Sequence, residues 1–452
     1  MPAKFINVDR QSPMLLPPDL KEWVSENDLV HFIVEVCEQL DTSRACINHR
    51  GTGSAQYPPT VMLALLIYCY ATSCFSSRRI ERATYDSIAV RYICGNHHPD
   101  HDTIASFRRR NPELIQECFF YVLQIAREMG LLKLGTLSVD GTKLKANASA
   151  RGKKTLAELE QELAETRHQI RQLLDEAEKA DREDEDAVGT LIPEDLAQQQ
   201  KRSDKLQKAK AALEARLAKL KENAKKAADR YKLPEKERKR PGKKPNKETE
   251  KKREQKERER QKVSLTDPDS HSVPHRKEGS IQGYNAQAGL CTKSRLIVTN
   301  NVSNNPNDCN ELAPLLEKLN PQDRQSMRHI IADKGYWDSI ELPALETQYE
   351  CRTLSPPKNP NSTTNKAYPA HHPRKKAKLF KEKMKRRLKT HQGKSLYRQR
   401  SSVSEGGYHI IKNLLGFKEF RLRGIDGVSI EWDLISLASN IRQILRLRDS
   451  RA

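Results

Sequence analysis

The period of the hydrophobic pattern changes at Leu134, and this change constrains the fold more than any other feature of the sequence. From Asp19 to Phe120, apolar residues recur every three or four positions, as they do in amphipathic helices. From Leu134 to Ala146 they alternate, so that Ser138 and Asp140 share one face. The chain is therefore predicted to begin as a helical domain and to continue with a strand that carries a carboxylate on its open face.

The helical part is predicted to be an all-α domain of residues 1–125. Two prolines suit the first turn of the apolar helix at residues 60–73. A second capped helix start, at Asp102, leads into a basic cluster that contains Arg108 and Arg109. We expect these two arginines to contact DNA; the alternative is a helical bundle that makes no DNA contact.

The next alternating segment starts only at Tyr284, and the composition of the residues between is different. Residues 151–263 are predicted to form an inserted, charged helical hairpin of coiled-coil type. Leucines recur there at heptad-like spacing on both sides of a break at Gly189 and Pro193. Beyond Leu233 the segment is rich in Lys and Arg without an apolar period, which predicts a basic, partly disordered linker.

After the insert, strands and helices alternate. The predicted strands are residues 284–290, 296–301, 328–333 and 349–354, and the predicted helices are residues 308–319, 405–415 and 431–447. A strand, an insert, two strands, a helix, two strands and a helix follow one another in this order. This order is typical of an RNase H-like α/β fold, a mixed sheet with flanking helices, here assigned to residues 130–150 and 264–452.

Three carboxylates occupy successive elements of this predicted fold: Asp140 on its first strand, Asp333 at the end of its fourth, and Glu405 on a late helix. Carboxylates that converge can hold two Mg²⁺ ions, because hard cations prefer oxygen ligands. One ion would activate the attacking oxygen of a phosphoryl transfer, and the other would stabilise the leaving oxygen. Taken alone, each is weak evidence, since an Asp at a strand end is more often a turn former. Glu419 and Glu431 compete for the third position.

The sequence around the three carboxylates resembles a known family. The segments TLSVDGTKLKANAS, HIIADKGYWDS and YRQRSSVSEGGYHIIKNLLGFKEFRLRG are similar to the three catalytic blocks of bacterial insertion-sequence transposases of the DDE class. The tail VSIEWDLISLASNIRQILRL and the N-terminal segments LLPPDLKEWVSENDLVHFIVEVCEQLD and DHDTIASFRRR resemble theirs as well. The resemblance implies metal-binding roles for Asp140, Asp333 and Glu405. It favours Glu405, because Glu419 follows the helix-ending Gly416 and Glu431 belongs to the tail.

The third block also resembles the Tyr-Arg-Glu-Lys signature of many of these enzymes. Its members here are Tyr397, Arg400, Glu405 and Lys412. Lys412 lies about two helical turns beyond Glu405, which predicts that both share one face and that the ammonium contacts the DNA backbone. The gap from Arg400 to Glu405 is one residue longer than in the signature. Of the Cys-rich stretch that some relatives carry, only Cys351 remains, so no metal knuckle is expected.

The charge of the chain favours a polyanionic partner. Its 81 Lys and Arg against 60 Asp and Glu give a net charge of +21, which attracts polyanions and releases their counterions. A merely solvated or ribosome-associated basic surface is the alternative. Two basic tracts, Lys219–Lys262 and Arg374–Lys389, are candidates for following phosphates, or are simply solvated.

Several features favour the bacterial cytoplasm, in association with the nucleoid. The segment MPAKFINVDRQSPMLL lacks the order of a signal peptide. The longest apolar run, Val61–Phe75, is interrupted by polar residues and shorter than the ~20 residues of a membrane span. The nine Cys contain no CxxC pair, which favours a reduced protein without structural zinc.

The resemblance and the carboxylates together predict a DNA transposase. It would bind the inverted repeats of its element as a dimer or higher oligomer, cleave double-stranded DNA at both ends, and join the freed 3′-OH groups to target DNA. Two Mg²⁺ ions, with Mn²⁺ as a substitute, would serve the reaction. The alternatives are an RNase H-like nuclease that cuts without joining, and a non-catalytic DNA-binding protein derived from a transposase.

Overall fold

The computed structural model of the chain describes residues 19–47, 55–149, 152–183, 192–229, 247–275, 278–358 and 373–450. The chain divides into an N-terminal unit, Met1–Val122, and a C-terminal unit, Leu123–Ala452. The C-terminal unit includes the predicted insert. The finer predicted boundaries, at residues 125, 151 and 263, stay predictions.

The N-terminal unit is built from helices. After a 3-10 helix at Leu20–Trp23 come α1 (Leu29–Gln39), α2 (Pro59–Ala71), α3 (Ser77–Asp86), α4 (Ile88–Ile93), α5 (His101–Arg110) and α6 (Pro112–Glu128), within which the boundary falls. Helix α2 starts with a proline in its first turn and is buried without interruption from Met62 to Ala71. Such a helix, apolar all round, forms the centre of the unit. None of the described helices is both long enough and apolar enough to cross a bilayer.

The C-terminal unit contains one large and one small sheet. Its strands are β1 (Thr136–Lys145), β2 (Lys153–Lys154), β3 (Val263–Ser264), β4 (His271–His275), β5 (Gly279–Cys291), β6 (Ile297–Ser303), β7 (His329–Ala332) and β8 (Arg352–Leu354). The six-stranded sheet has the order β4-β5-β1-β7-β8, with β6 beside β5. Strand β1 is antiparallel to β5 and parallel to β7, and β7 is parallel to β8, so the sheet is mixed.

The insert contains a small core of its own, which its composition did not predict. It consists of α7 (Leu156–Glu183), α8 (Ile192–Asp229) and α9 (Lys247–Arg260). Strands β2 and β3 pair at its base. Helices α7 and α8 share one buried cluster: Leu159, Leu163, Leu206, Ala209, Leu213, Leu217 and Val263.

The predicted linker is partly helical. Residues 230–246 lie outside the described part of the chain, whereas α9 is a helix where the sequence lacks an apolar period. Its sequence KETEKKREQKERER consists of good helix formers with opposite charges three and four residues apart, and such pairs stabilise a helix that has no apolar stripe.

Further helices of the C-terminal unit are α10 (Leu312–Glu317), α11 (Pro321–Ser326), α12 (Glu341–Gln348), α13 (Pro373–Lys389), α14 (His391–His409) and α15 (Gly424–Asp449). Helix α14 packs across β1, β5 and β7. Its approach is close at Gly407, where a Cβ would lie 2.2 Å from Leu290 Cδ2. The Ser404 and Ser138 hydroxyls meet at 3.2 Å between helix and sheet. This contact links α14 to the strand that carries Asp140.

Candidate active site

Strand pairing brings Asp140 and Asp333 together. In the parallel pair of β1 and β7, Val139 is the partner of Ala332. The next residues along the two strands are therefore Asp140 and Asp333, which lie side by side although their positions in the sequence are far apart. The Asp333 carboxylate caps the 3-10 helix that follows β7 by accepting from the Lys334 N–H at 2.6 Å.

The electrostatic surroundings of Asp140 disfavour its negative charge. Its side chain is 27% exposed, and burial raises the pKa of the carboxyl to about 6. The negative charges of Asp333 and Asp308 raise this pKa further. The Arg400 guanidinium and the Gly141 N–H act against the rise. A carboxyl held in this way gains from any additional positive charge that binds beside it.

Three of the four signature residues, Tyr397, Arg400 and Lys412, lie around Asp140. Arg400 Nη1 lies 3.6 Å from Asp140 Oδ2, and the Arg400 guanidinium lies 5.9 Å from the centre of the Tyr397 ring. Burial lowers the pKa of Lys412, while the charge of Asp140 raises it, which marks Lys412 as a neighbour of the same carboxylate. The Tyr408 hydroxyl donates to the Asp140 carbonyl at 2.6 Å, and ties α14 to β1 beside the site.

Glu405 lies on α14 but not in the same cluster. It is exposed and accepts from the Ser401 hydroxyl at 2.7 Å. Over the part of the chain that the structure describes, no three His, Cys, Asp or Glu side chains lie close enough together to hold a metal ion. Asp140 and Asp333 supply the oxygen donors that a hard divalent cation requires. The residues present therefore fit a cation at the aspartate pair, and Glu405 as the third ligand stays a prediction.

The expected relation between Glu405 and Lys412 depends on a regular helix, and the helix is not regular there. Helix α14 ends at His409, and Ile410–Leu414 is π-helical. A π-helical turn takes in one residue more than an α-helical turn, so residues beyond it no longer repeat the faces of α14. This shift accounts for a half-buried Lys412 next to Asp140 and an exposed Glu405.

Two family models match the chain. A family described as Transposase DDE domain matches residues 258–441, and one described as Transposase domain (DUF772) matches residues 18–110. The chain belongs to the DDE-type insertion-sequence transposases. Asp333 and Glu405 fall inside the first match, and Asp140 precedes it on the other side of the insert. No curated protein and no solved structure gives a significant match to this transposase.

Membership in this family has consequences for fold and chemistry. The DDE domain implies an RNase H-like fold, and the observed mixed sheet with β1 at its centre agrees with the predicted α/β class. Transposases of this family act on DNA and generally use divalent metal ions. The finer assignments of the insert, the N-terminal unit and the individual residues remain proposals.

The two other candidates for the third carboxylate of the transposase have different surroundings. The backbone of Glu419 forms an isolated β-bridge with that of Lys145. Lys145 is five residues after Asp140 on β1, so Glu419 lies about 16 Å from Asp140 along the strand. Glu431 is fully buried and accepts from the N–H groups of Arg421 and Leu422. The first lies at the far end of the strand, and the second serves to hold a turn. Glu405 stays the predicted third carboxylate.

A fourth carboxylate near the site was missed by sequence reasoning. Asp308 Oδ1 accepts from Lys143 Nζ at 2.8 Å, Asn285 Nδ2 at 2.9 Å and Gln287 Nε2 at 3.0 Å. Lys143 is three residues after Asp140 on β1, so the two side chains point to opposite faces of the sheet. The Asp308 network therefore lies on the face opposite the Asp140 side chain. The available signal was the presence of Asn285 and Gln287 in an otherwise apolar strand, because buried amides require partners.

The two arginines predicted to contact DNA in the N-terminal unit differ in exposure. Arg109 is exposed, whereas Arg108 is only 3% exposed. The Arg108 guanidinium donates to the Tyr70 hydroxyl at 2.9 Å, the Phe75 carbonyl at 3.2 Å and the Ser77 hydroxyl at 3.3 Å. It faces inward because it follows the buried Ile104 by one helical turn. The prediction for Arg108 is therefore wrong, and this residue has a structural role in the transposase.

Proposed function

We propose that the transposase binds the terminal inverted repeats of its insertion sequence, cleaves the phosphodiester at each end, and joins the freed 3′-OH groups to target DNA. Asp140, Asp333 and Glu405 are the catalytic carboxylates of this proposal. The observation that carries it is the register of β1 against β7, in which Val139 and Ala332 are partners. The register supports the proposal because Asp140 and Asp333 directly follow these paired residues, and Asp333 lies in the segment that matches the DDE domain family.

The reaction is a pair of substitutions at phosphorus. In the first, a water oxygen bonds to the phosphorus at the end of the element, and the bond to the 3′ oxygen breaks, leaving a 3′-OH. In the second, this 3′ oxygen bonds to a target phosphorus, and a target 3′ oxygen leaves. Divalent cations, two Mg²⁺ or Mn²⁺ in their place, supply positive charge to the attacking and leaving oxygens when bound.

The chain's own residues have distinct parts in this reaction. Asp140 and Asp333 are the oxygen donors that would hold the cation, and Glu405, which lies on α14 outside their cluster, is proposed to join them when DNA and metal are bound. Arg400 keeps positive charge at Asp140 and is positioned against the Tyr397 ring. The Lys412 ammonium, also beside Asp140, would bind a backbone phosphate of the DNA. Arginine and lysine are suited to this contact because their positive charge strengthens hydrogen bonds to phosphate oxygens.

The decisive experiment uses the full-length protein, a duplex carrying one end of the element, target plasmid and Mg²⁺. The wild-type protein should release ends with free 3′-OH groups and join them to the plasmid. Asp140→Asn and Asp333→Asn should lose both products and keep DNA binding, since phosphate contacts come from Lys and Arg. Asp426→Asn, at an exposed position of α15, is the matched control and should retain activity.

The products separate the proposal from its two alternatives. Cleaved ends without joined product would indicate a nuclease of the same fold. DNA binding without cleavage, in Mg²⁺ and in Mn²⁺, would indicate a non-catalytic derivative. An Asp140→Asn protein that cleaves at the wild-type rate would contradict the assignment of the site itself.

A further inference from the structure

The outward face of α3 carries a stripe of basic and aromatic side chains. Arg78, Arg82 and Tyr85 are exposed and follow one another at spacings of four and three residues, so they lie along one side of the helix. The opposite side is formed by Ile80 and Thr84, which are buried. The stripe is therefore the part of α3 that the core of the N-terminal unit does not use.

The exposure of this stripe is high. Tyr85 is 57% exposed, and the Arg82 side chain is 84% exposed although it reaches Asp86 at 3.3 Å. Arg79 is also exposed on this helix. Three arginines against the single exposed acid Asp86 leave the outward face of α3 positive.

The Tyr85 ring is held in place although it is exposed. It stacks on His98 with ring centres 3.9 Å apart and an angle of 13° between the planes. His98 Nδ1 is in turn 3.1 Å from the Thr84 hydroxyl. A ring ordered before binding loses less conformational entropy when a partner covers it. Such an arrangement suits contact with duplex DNA, where apolar and aromatic side chains pack against thymine methyl groups in the major groove.

Polar side chains of α5 contact α3 on the side opposite the stripe. Arg108 donates to Ser77, the first residue of α3, and to the Phe75 carbonyl just before it. His101 Nδ1 lies 2.8 Å from Glu81 Oε2 in the middle of α3. Glu81, one of the two acidic residues of α3, is thus turned towards α5, and the arginines are left on the outside with Asp86.

We propose that the stripe of Arg78, Arg82 and Tyr85 is the surface by which the N-terminal unit contacts duplex DNA at the end of the element, an inference that rests on the proposed function. The charge of the stripe is complementary to phosphate. A ten-residue helix is about 15 Å long, and the major groove of about 12 Å admits a helix. Arginine is the side chain that most often recognises guanine there.

The test compares binding of the full-length protein to an end duplex and to a scrambled duplex of equal length, by fluorescence anisotropy at several salt concentrations. The double variant Arg78→Ala/Arg82→Ala should weaken binding to the end duplex by at least about tenfold. The slope of its log affinity against log salt should become shallower by up to about two units, one for each lost phosphate contact. Tyr85→Ala should reduce the preference for the end duplex. Arg44→Ala, an arginine of the same unit that is 72% exposed and lies outside α3, should bind like the wild type.

The outcomes distinguish this inference from the proposed function. If the double variant binds within twofold of the wild type while keeping its melting temperature, the α3 surface is not the DNA contact. The same holds if the variants change only the oligomeric state on gel filtration, which would assign the stripe to a second copy of the chain. If the wild type binds both duplexes equally, end recognition fails, whereas weaker binding by the double variant would still support α3. If the wild type binds neither duplex, both fail.

Discussion

Arg400 and Asp140 form an ion pair between α14 and the central strand, with 3.6 Å between Arg400 Nη1 and Asp140 Oδ2. Both side chains are mostly buried, so the pair is screened less by water than a surface ion pair would be. It links α14 to the strand that carries Asp140. A positively charged signature residue thus stabilises the same carboxylate that is proposed to bind metal.

Substitution of Glu405 by glutamine should separate DNA binding from cleavage. The amide keeps the shape of the side chain but removes the charge needed for a metal ligand, so end cleavage should fall by at least about 100-fold. Affinity for the end duplex should be unchanged or slightly higher, because one negative charge near the DNA is lost. Gel shifts and cleavage rates at one salt concentration would measure both effects.

Glu419→Gln is the matched control for this substitution, since Glu419 is paired with Arg421 at the far end of β1. It should cleave normally. If Glu405→Gln cleaves at the wild-type rate and Glu419→Gln does not, the third carboxylate has been assigned to the wrong residue.

Loss of the Lys412 ammonium should affect both binding and rate. Lys412→Ala removes a charge that lies beside Asp140 and is proposed to contact phosphate. The slope of log affinity against log salt should become shallower by about one unit, and the cleavage rate should fall as well. Lys418→Ala, at an exposed position shortly after the π-helical segment, should change neither the slope nor the rate. If the two substitutions have equal effects, Lys412 contributes only to the general positive charge of the surface.

The glycine after Asp140 should tolerate no side chain. A Cβ at Gly141 would lie 2.5 Å from Gln287 Nε2 and 2.8 Å from Asp308 Oδ1. Gly141→Ala should therefore destabilise the C-terminal unit by about 1 to 3 kcal/mol, as overpacking does, and should disturb the strand that carries Asp140. Urea denaturation would measure this. At Gly135 a Cβ would meet no atom within 4 Å, so Gly135→Ala should have a much smaller effect, and similar losses for both would contradict the proposed steric cause.

Asp433 on α15 should make stability depend on pH. Burial raises its pKa to about 6, against the effects of Lys318 and Asn300. The folded chain therefore binds this proton more tightly than the unfolded chain. The resulting stabilisation is complete below about pH 4 and is lost as the pH rises through about 6.

Asp433→Asn, which is neutral at every pH, should match the wild type near pH 4 and exceed it near pH 8 by no more than about 3 kcal/mol. Urea denaturation at the two pH values measures the difference. Asp426→Asn, exposed on the same helix, should show no such dependence on pH. A constant difference between Asp433→Asn and wild type would indicate that the carboxyl does not change protonation in this range.

Local patterns were sufficient to predict the strands that carry Asp140 and Asp333. Alternation marks the side of a strand on which a residue lies, and the end of an apolar run marks where the strand stops. The order of elements then indicated an RNase H-like sheet, and in the structure β1 and β7 are neighbours in it. The observed register of Val139 with Ala332 agrees with this order.

Features that depend on contacts between distant segments could not be predicted in the same way. A basic cluster at the end of α5 does not reveal which arginine faces the core, and Arg108 was assigned to the wrong side for this reason. The π-helical turn at Ile410–Leu414 has no sequence signal comparable to a proline or glycine break. The Asp308 network joins β1, β5 and a loop, so its members become partners only when the sheet is assembled.

The short pairing of β2 with β3 has a consequence for the order in which the chain folds. Lys153 and Lys154 face Ser264 and Val263, and Val263 also belongs to the buried cluster of α7 and α8. Once α7 and α8 have packed together and β2 has paired with β3, the segment before the insert lies next to the segment after it. Since the entropy of closure grows with the logarithm of the open length, the loop that must close when β1 pairs with β5 is then much shorter than the sequence separation of the two strands. If the insert folds before the sheet, we expect it to lower the effective contact order of the sheet, so that its length would have little influence on how fast β1 pairs with β5.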